Sequence, residues 1–260
     1  MSDPKETYET IAGCKTRVLR GGKGAPLLFL HGGGGASIWL PFFKSLAEKY
    51  EVIVPEHPGF GRSDMPEWLD NVGDYANFYH EFIGKLGLKD INLVGTSLGG
   101  WIGAEMAVRN TGPIRTLTLI APAGIHVTGV AKGDLFLWTP EQTVRNLFTD
   151  EKLQEFVLKQ VPDEDERKRQ MKNALTLAKV GWQPRLYDPN LRKWLHRIDR
   201  PTLIIWGDSD KLIPAAYGPA YRDLIPGAKL EVIKACGHVP HIEKMADTLA
   251  LVTRFIEEAK

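Results

Sequence analysis

A serine in the run Asn92-Leu93-Val94-Gly95-Thr96-Ser97-Leu98-Gly99-Gly100-Trp101 has the surroundings of a nucleophile. An apolar run ends there abruptly, and a helix-prone stretch rich in small residues follows from Ile102 to Val108. A strand that turns sharply into a helix presents its central side chain at the tip of the turn, near the positive end of the helix dipole. The turn is strained, so the residues two before and two after the serine must be small. Gly95 and Gly99 meet that demand. Ser97 is therefore a candidate to attack a carbonyl carbon.

A serine hydroxyl needs a base, and the base needs an orienting acid. His238, in Ala235-Cys236-Gly237-His238-Val239-Pro240, follows the last expected strand. Asp210, in Gly207-Asp208-Ser209-Asp210-Lys211, follows the strand before it, with Asp208 as its competitor. Both loops belong on the carboxyl edge of a parallel sheet, the edge that carries Ser97. The run His31-Gly32-Gly33-Gly34-Gly35 follows an earlier strand. Its glycines let backbone N–H groups turn toward a developing oxyanion. The expected donors are Gly33 N–H and Leu98 N–H, with Gly34 as a substitute for Gly33.

The elements that must position these groups can be read from short apolar runs. Thr16 to Leu19, Pro26 to Leu30, Glu51 to Pro55, Ile91 to Val94, Leu117 to Ala121, Thr202 to Trp206 and Leu230 to Ile233 have strand character. Gly21 to Gly24 form the turn between the first two. Helical patterns cover about 40–49, 74–86, 98–110, 215–224 and 242–258. The alternation implies a mostly parallel sheet with helices on both faces. From His126 to about Arg197 only helices are expected: Phe136 to Phe148, Glu151 to Lys159 and Glu164 to Val180. The last starts at Asp163, with Glu166 completing the cap, and places Met171, Ala174, Leu175 and Ala178 on one face.

The full combination resembles the α/β-hydrolase superfamily. The matching pieces are His31-Gly32-Gly33-Gly34, His57-Pro58-Gly59-Phe60-Gly61-Arg62-Ser63, Gly95-Thr96-Ser97-Leu98-Gly99-Gly100, Gly207-Asp208-Ser209-Asp210 and Gly237-His238. The resemblance implies an eight-stranded sheet, a helical cap over the site, and a Ser97–Asp210–His238 triad with the acid at Asp210. The core would comprise residues 1–125 and 198–260, and the cap 126–197. Small bacterial carboxylesterases are the most similar, together with carbon–carbon hydrolases of aromatic ring-cleavage products. The latter usually carry Asn before the nucleophile and Trp after the histidine, where this chain has Thr96 and Val239. Their glycine loop is also one residue longer. Haloalkane dehalogenases and epoxide hydrolases use an aspartate nucleophile, which Ser97 argues against.

An acyl-enzyme hydrolase of a small, largely apolar carboxylic ester is thus the expected function. The expected pocket residues are Gly34, Trp39, Trp101, Ile125, Trp138, Trp182, Arg185 and Val239. In the carbon–carbon alternative Arg185 or Arg145 would anchor a substrate carboxylate. A ligand receptor on the same fold, a perhydrolase or a lactonase are further alternatives. His31 is expected to hold the glycine loop, and His57, His80, His126 and His196 to have unrelated roles.

The chain has 260 residues, net charge +1, 43% hydrophobic and 25% charged residues, which describe a soluble globular protein and not a nucleic-acid binder. No apolar stretch suggests a signal core or a membrane span. Two cysteines, Cys14 and Cys236, suggest a reduced, cytoplasmic protein. No metal is expected: His238-x-x-His241 has no further ligands nearby. No cofactor is expected either, because the glycine loop lacks the Lys-Ser/Thr ending of a nucleotide loop. A small molecule is the expected partner, and a homo-oligomer is left open.

Overall fold

The computed structural model describes residues 4–259, so residues 1–3 and 260 of the expected core lie outside the described residues. Eight strands form one sheet: β1 (Lys5–Ile11), β2 (Cys14–Gly21), β3 (Pro26–Leu30), β4 (Glu51–Pro55), β5 (Ile91–Thr96), β6 (Ile114–Ile120), β7 (Thr202–Gly207) and β8 (Lys229–Ile233). Their spatial order is β1-β2-β4-β3-β5-β6-β7-β8. β1 with β2 and β2 with β4 are antiparallel, and the remaining pairs are parallel. The helices are α1 (Pro41–Leu46), α2 (Val72–Lys85), α3 (Leu98–Arg109), α4 (Pro140–Leu147), α5 (Glu151–Leu158), α6 (Glu164–Gly181), α7 (Leu191–Trp194), α8 (Tyr217–Leu224), α9 (Pro240–Glu243) and α10 (Met245–Glu258).

Alternation along the central strands divides the core in two. Leu28 and Leu30 face α2, α3 and α8, where Tyr75, Phe82, Ile102 and Tyr221 pack. Leu27 and Phe29 face α1 and α10, where Phe42, Phe43, Val252 and Phe255 pack. Strands covered on both faces must be nearly all apolar, which is why these runs stand out in the sequence. Among the described residues no helix is long and apolar enough to cross a membrane.

Between β6 and β7 the chain carries α4 to α7. Side-chain oxygens of Thr139, Asp150 and Asp163 cap α4, α5 and α6. The Asp163 carboxylate accepts from Glu166 N–H, as the spacing predicts.

Four expectations change. The polar segment before Ala12 forms β1, an edge strand with mostly exposed side chains. The helix expected from Phe136 starts only at Pro140, because Thr139 and Gln142 close a reciprocal capping box there. The C-terminal helix is broken at Lys244 into α9 and α10. On α6, Met171 and Leu175 are 68% and 66% exposed, while Asn173, Thr176, Leu177, Val180 and Gly181 are buried. This helix docks onto backbone polar atoms, so its inward face is partly polar.

Candidate active site

Ser97 sits between the last residue of β5 and the first of α3, at φ +53 and ψ −113. A side chain on Gly99 would run into the carbonyls of Leu30 and His31, and one on Gly95 into Gly99. Strand and helix therefore approach closely only because both positions lack a Cβ. Leu98 opens α3, so its N–H has no intrahelical acceptor. It also lies at the positive end of the helix.

The three separated residues meet. His238 Nε2 lies 2.9 Å from Ser97 Oγ, and His238 Nδ1 lies 2.7 Å from Asp210 Oδ2. The other carboxylate oxygen of Asp210 accepts from Leu212 N–H at 2.9 Å and Ile213 N–H at 2.8 Å. With both oxygens engaged, the carboxylate is fixed as the acceptor for Nδ1–H. Nε2 is then free to accept from the serine hydroxyl. Asp208 is elsewhere: it accepts from Ser209 Oγ and lies 3.6 Å from Lys234 Nζ.

Beneath the glycine loop two stacked imidazoles, 3.7 Å between centroids, fix its backbone. His31 Nε2 accepts from His57 N–H at 2.9 Å, so its proton is on Nδ1 and is donated to Gly32 O at 2.6 Å. His57 Nδ1 faces the Tyr79 hydroxyl, and its Nε2–H donates to His31 O at 2.9 Å. Burial lowers the His31 pKa to about 4 and that of His57 well below its ordinary value, so both rings stay neutral. His57 has no role of its own in the sequence reading, although the turn His57-Pro58-Gly59-Phe60-Gly61 reads as a rigid support below the site. The His57 ring braces the glycine loop, and the signal for it is its place at the head of that turn.

The helices between β6 and β7 are fastened to this machinery at two places. Near the end of α4, Leu147 O accepts from His238 N–H at 2.8 Å. Glu243 Oε1 accepts from Asp150 N–H at 2.7 Å and lies 2.7 Å from Thr149 Oγ1, while Oε2 accepts from Gly237 N–H. These hydrogen bonds hold the Glu243 carboxyl below its ordinary pKa, against the raising effect of burial. On α6, Asn173 donates to Gly34 O at 2.9 Å and accepts from Gly61 N–H at 2.8 Å. Thr176 donates to Gly59 O at 2.7 Å. Neither Glu243 nor Asn173 stands out in the sequence.

A cavity of about 570 Å³ opens beside Ser97 and His238. Of the expected pocket residues, Gly34, Trp138 and Val239 line it, as do Gly33 and Leu98, the expected oxyanion donors. Trp39, Trp101, Ile125, Trp182 and Arg185 do not. Trp39 packs on Gly21 and Phe43. Trp101 is buried, with its indole N–H on Glu105. Ile125 belongs to the core. Trp182 meets Phe136 edge-on and lies under the Arg185 guanidinium, which pairs with Asp134 at 3.1 Å. Arg185 faces a second cavity of about 250 Å³ instead. The side chains that do line the main cavity include Leu135, Leu147, Phe148, Leu177 and Leu212, and none of its lining residues is Asp, Glu, Lys or Arg.

The profile described as "Alpha/beta hydrolase family" matches residues 27–251. The 2-hydroxy-6-oxo-6-(2'-aminophenyl)hexa-2,4-dienoic acid hydrolase of Metapseudomonas resinovorans is 26% identical, over 96% of this chain and 91% of that protein. Lipase 3 of a Moraxella species is 29% identical, over 86% of this chain and 75% of its own length. Among solved structures, a membrane phospholipase A described as a bacterial virulence factor superposes with a TM-score of 0.82. It is 26% identical and covers 98% of this chain and 86% of the other.

Proposed function

The chain belongs to the alpha/beta hydrolase family and is an enzyme of that family; from that premise we propose that it hydrolyses neutral, largely apolar carboxylic esters through an acyl-enzyme. The observation that carries this reading is the lining of the cavity beside Ser97, which holds no Asp, Glu, Lys or Arg. A substrate bearing a carboxylate would have to lose its hydration there with no cation to receive it. Arg185 and Arg145, the cations that a carbon–carbon hydrolase would have used, are paired with Asp134 and with Glu141 and Glu155.

In this reading His238 removes the Ser97 proton as Oγ attacks the ester carbonyl. Asp210 holds the imidazole with Nδ1–H toward itself and stabilises the imidazolium. The N–H groups of Gly33 and Leu98 receive the oxyanion. The C–O bond to the alcohol then breaks, and His238 gives its proton to the leaving oxygen. Water, deprotonated by His238, attacks the acyl-enzyme and releases the acid and Ser97. Residues 126–197 act as a cap that supplies Leu135, Trp138, Leu147 and Leu177 to the cavity. A cytoplasmic location belongs to the same proposal, supported by two free, buried thiols.

The test is a panel of short neutral esters beside a yellow ring-fission diketone acid. Turnover of the esters with little cleavage of the diketone is expected. The opposite preference would replace this reading with carbon–carbon hydrolysis.

A further inference from the structure

Three glycines beside the site each face one side chain of a single helix. A Cβ on Gly35 would meet Asn173 Nδ2 at 2.6 Å, one on Gly59 would meet Thr176 Cγ2 at 2.7 Å, and one on Gly33 would meet Leu177 Cδ2 at 2.6 Å. Positions 173, 176 and 177 share one face of α6, at the spacing i, i+3 and i+4. The helix therefore rests directly on loop backbone.

Two of the three contacts are hydrogen-bonded and one is not. Asn173 donates to Gly34 O and accepts from Gly61 N–H, and Thr176 donates to Gly59 O. These bonds fix the height of α6 above the glycine loop. Leu177 comes on the same face with nothing to bond. It is buried and lines the cavity beside Ser97. Its Cδ atoms are thereby placed over the Gly33 Cα, one bond from the nitrogen that receives the oxyanion in the ester reading.

The geometry of acyl transfer says which part of a substrate would meet this side chain. The tetrahedral carbon carries Ser97 Oγ, the oxyanion, the leaving oxygen and the acyl chain. The oxyanion turns to the N–H groups of Gly33 and Leu98, and the leaving oxygen turns to His238 for its proton. His238 lies at the end of α4, where Leu147 O accepts its N–H. The acyl chain takes the remaining direction, along the glycine loop that α6 covers.

We propose that Leu177 is a specificity-determining residue: it fills the space beside the acyl α-carbon, so that straight acyl chains are taken and acyl chains branched at that carbon are refused. This rests on the ester reading and deepens it. A packed apolar wall discriminates by fit, and one methyl group too many is worth about tenfold or more.

The experiment compares kcat/KM for ethyl butanoate, ethyl 2-methylbutanoate and ethyl 2,2-dimethylbutanoate, with isopropyl butanoate as the ester branched on its alcohol side. Each enzyme is scored by its branched-to-straight ratio, so the intrinsic slowness of hindered esters cancels between variants. Leu177→Ala should raise the acyl ratio by about tenfold or more, and Leu177→Phe should lower it. Leu177→Val removes less and should shift the ratio in the same direction as Ala, which keeps the test open if the Ala variant fails its thermal melt. Leu175→Ala, on the exposed side of the same helix, should leave the ratio unchanged. A purely structural role would slow all four esters in proportion and leave the ratio intact, which would overturn the proposal. So would a gain confined to isopropyl butanoate. A wild-type enzyme that hydrolyses none of the four would instead remove the ester reading, and this assignment with it.

Discussion

The backbone N–H of His238 donates to the carbonyl of Leu147 at 2.8 Å, so the imidazole that faces Ser97 is tethered to the helices between β6 and β7. Glu243 reinforces the same junction by collecting donors from Thr149, Asp150 and Gly237. The position of the base and the position of the helices are one structural variable.

Replacing Glu243 by Ala should therefore damage activity without touching substrate. Three backbone N–H groups lose their acceptor, a cost on the order of 3 kcal/mol. Displacement of His238 should lower kcat by about tenfold or more. Steady-state kinetics and urea unfolding of the same preparation check both. An unchanged kcat in a destabilised but folded variant would separate the junction from the chemistry.

Ser97→Ala should abolish ester turnover and leave the melting profile intact. Asp210→Asn should lower kcat by about 10⁴-fold, because an amide in place of the carboxylate favours the wrong imidazole tautomer. Substantial turnover in the serine variant, after exclusion of contaminating esterase, would remove the proposed nucleophile.

Asn173 bridges Gly34 O and Gly61 N–H, so Asn173→Ala should loosen the glycine loop that carries the proposed oxyanion donor. A loss of one such donor's alignment is worth up to about 10²-fold in kcat. The effect should fall on kcat more than on KM, since the bonds strengthen as charge develops. A pure KM effect would assign Asn173 to substrate binding alone.

The glycines around the site should not tolerate side chains equally. Gly34→Ala meets open space and should fold normally. Gly33→Ala would press on Leu177 Cδ2 at 2.6 Å, a side chain able to move. Gly99→Ala would strike the backbone of Leu30 and His31. It should cost upwards of about 3 kcal/mol or prevent soluble expression. Thermal melts of the three variants should rank in that order.

Stability should weaken with acid as the buried histidines are forced to protonate. His31 and His241 have pKa values lowered to about 4 and about 3, and His57 lies well below its ordinary value. An unfolded imidazole titrates near ~6.5, so between these values the unfolded chain binds protons that the folded one refuses. The contribution is fully present above about pH 6.5 and is lost as pH falls toward the folded values, on the order of 3 kcal/mol for His31 and about 5 kcal/mol for His241. Urea midpoints at about pH 7 and about pH 5 should differ clearly, and His241→Phe should narrow the gap. Equal midpoints would mean the rings are not held neutral.

What could be read in advance follows from how local each signal is. Ser97, Asp210 and His238 are identified by residue type and by loops at strand ends, and the parallel sheet fixes which edge those loops share. The buried strands are legible because both faces demand apolar residues. β1 is not, since its polar run Lys5-Glu6-Thr7-Tyr8-Glu9-Thr10 lies on a sheet edge and reads as a polar tail. On α6 apolar periodicity misled: Met171 and Leu175 point outward because Asn173 and Thr176 bond to loop backbone. Arg185 and Trp182 sit where a substrate anchor could be imagined. Their stacking on each other and the ion pair to Asp134 are tertiary facts with no trace in spacing.

The twin fastening of α4 and α6 has a further consequence for traffic. Moving these helices away from the sheet would break the hydrogen bonds to the histidine loop and to the glycine loop together. Ile38 and Ile242, exposed at 64% and 39%, also line the cavity, so apolar side chains join it to the surface. Admission is then filtered by wetting before it is filtered by fit.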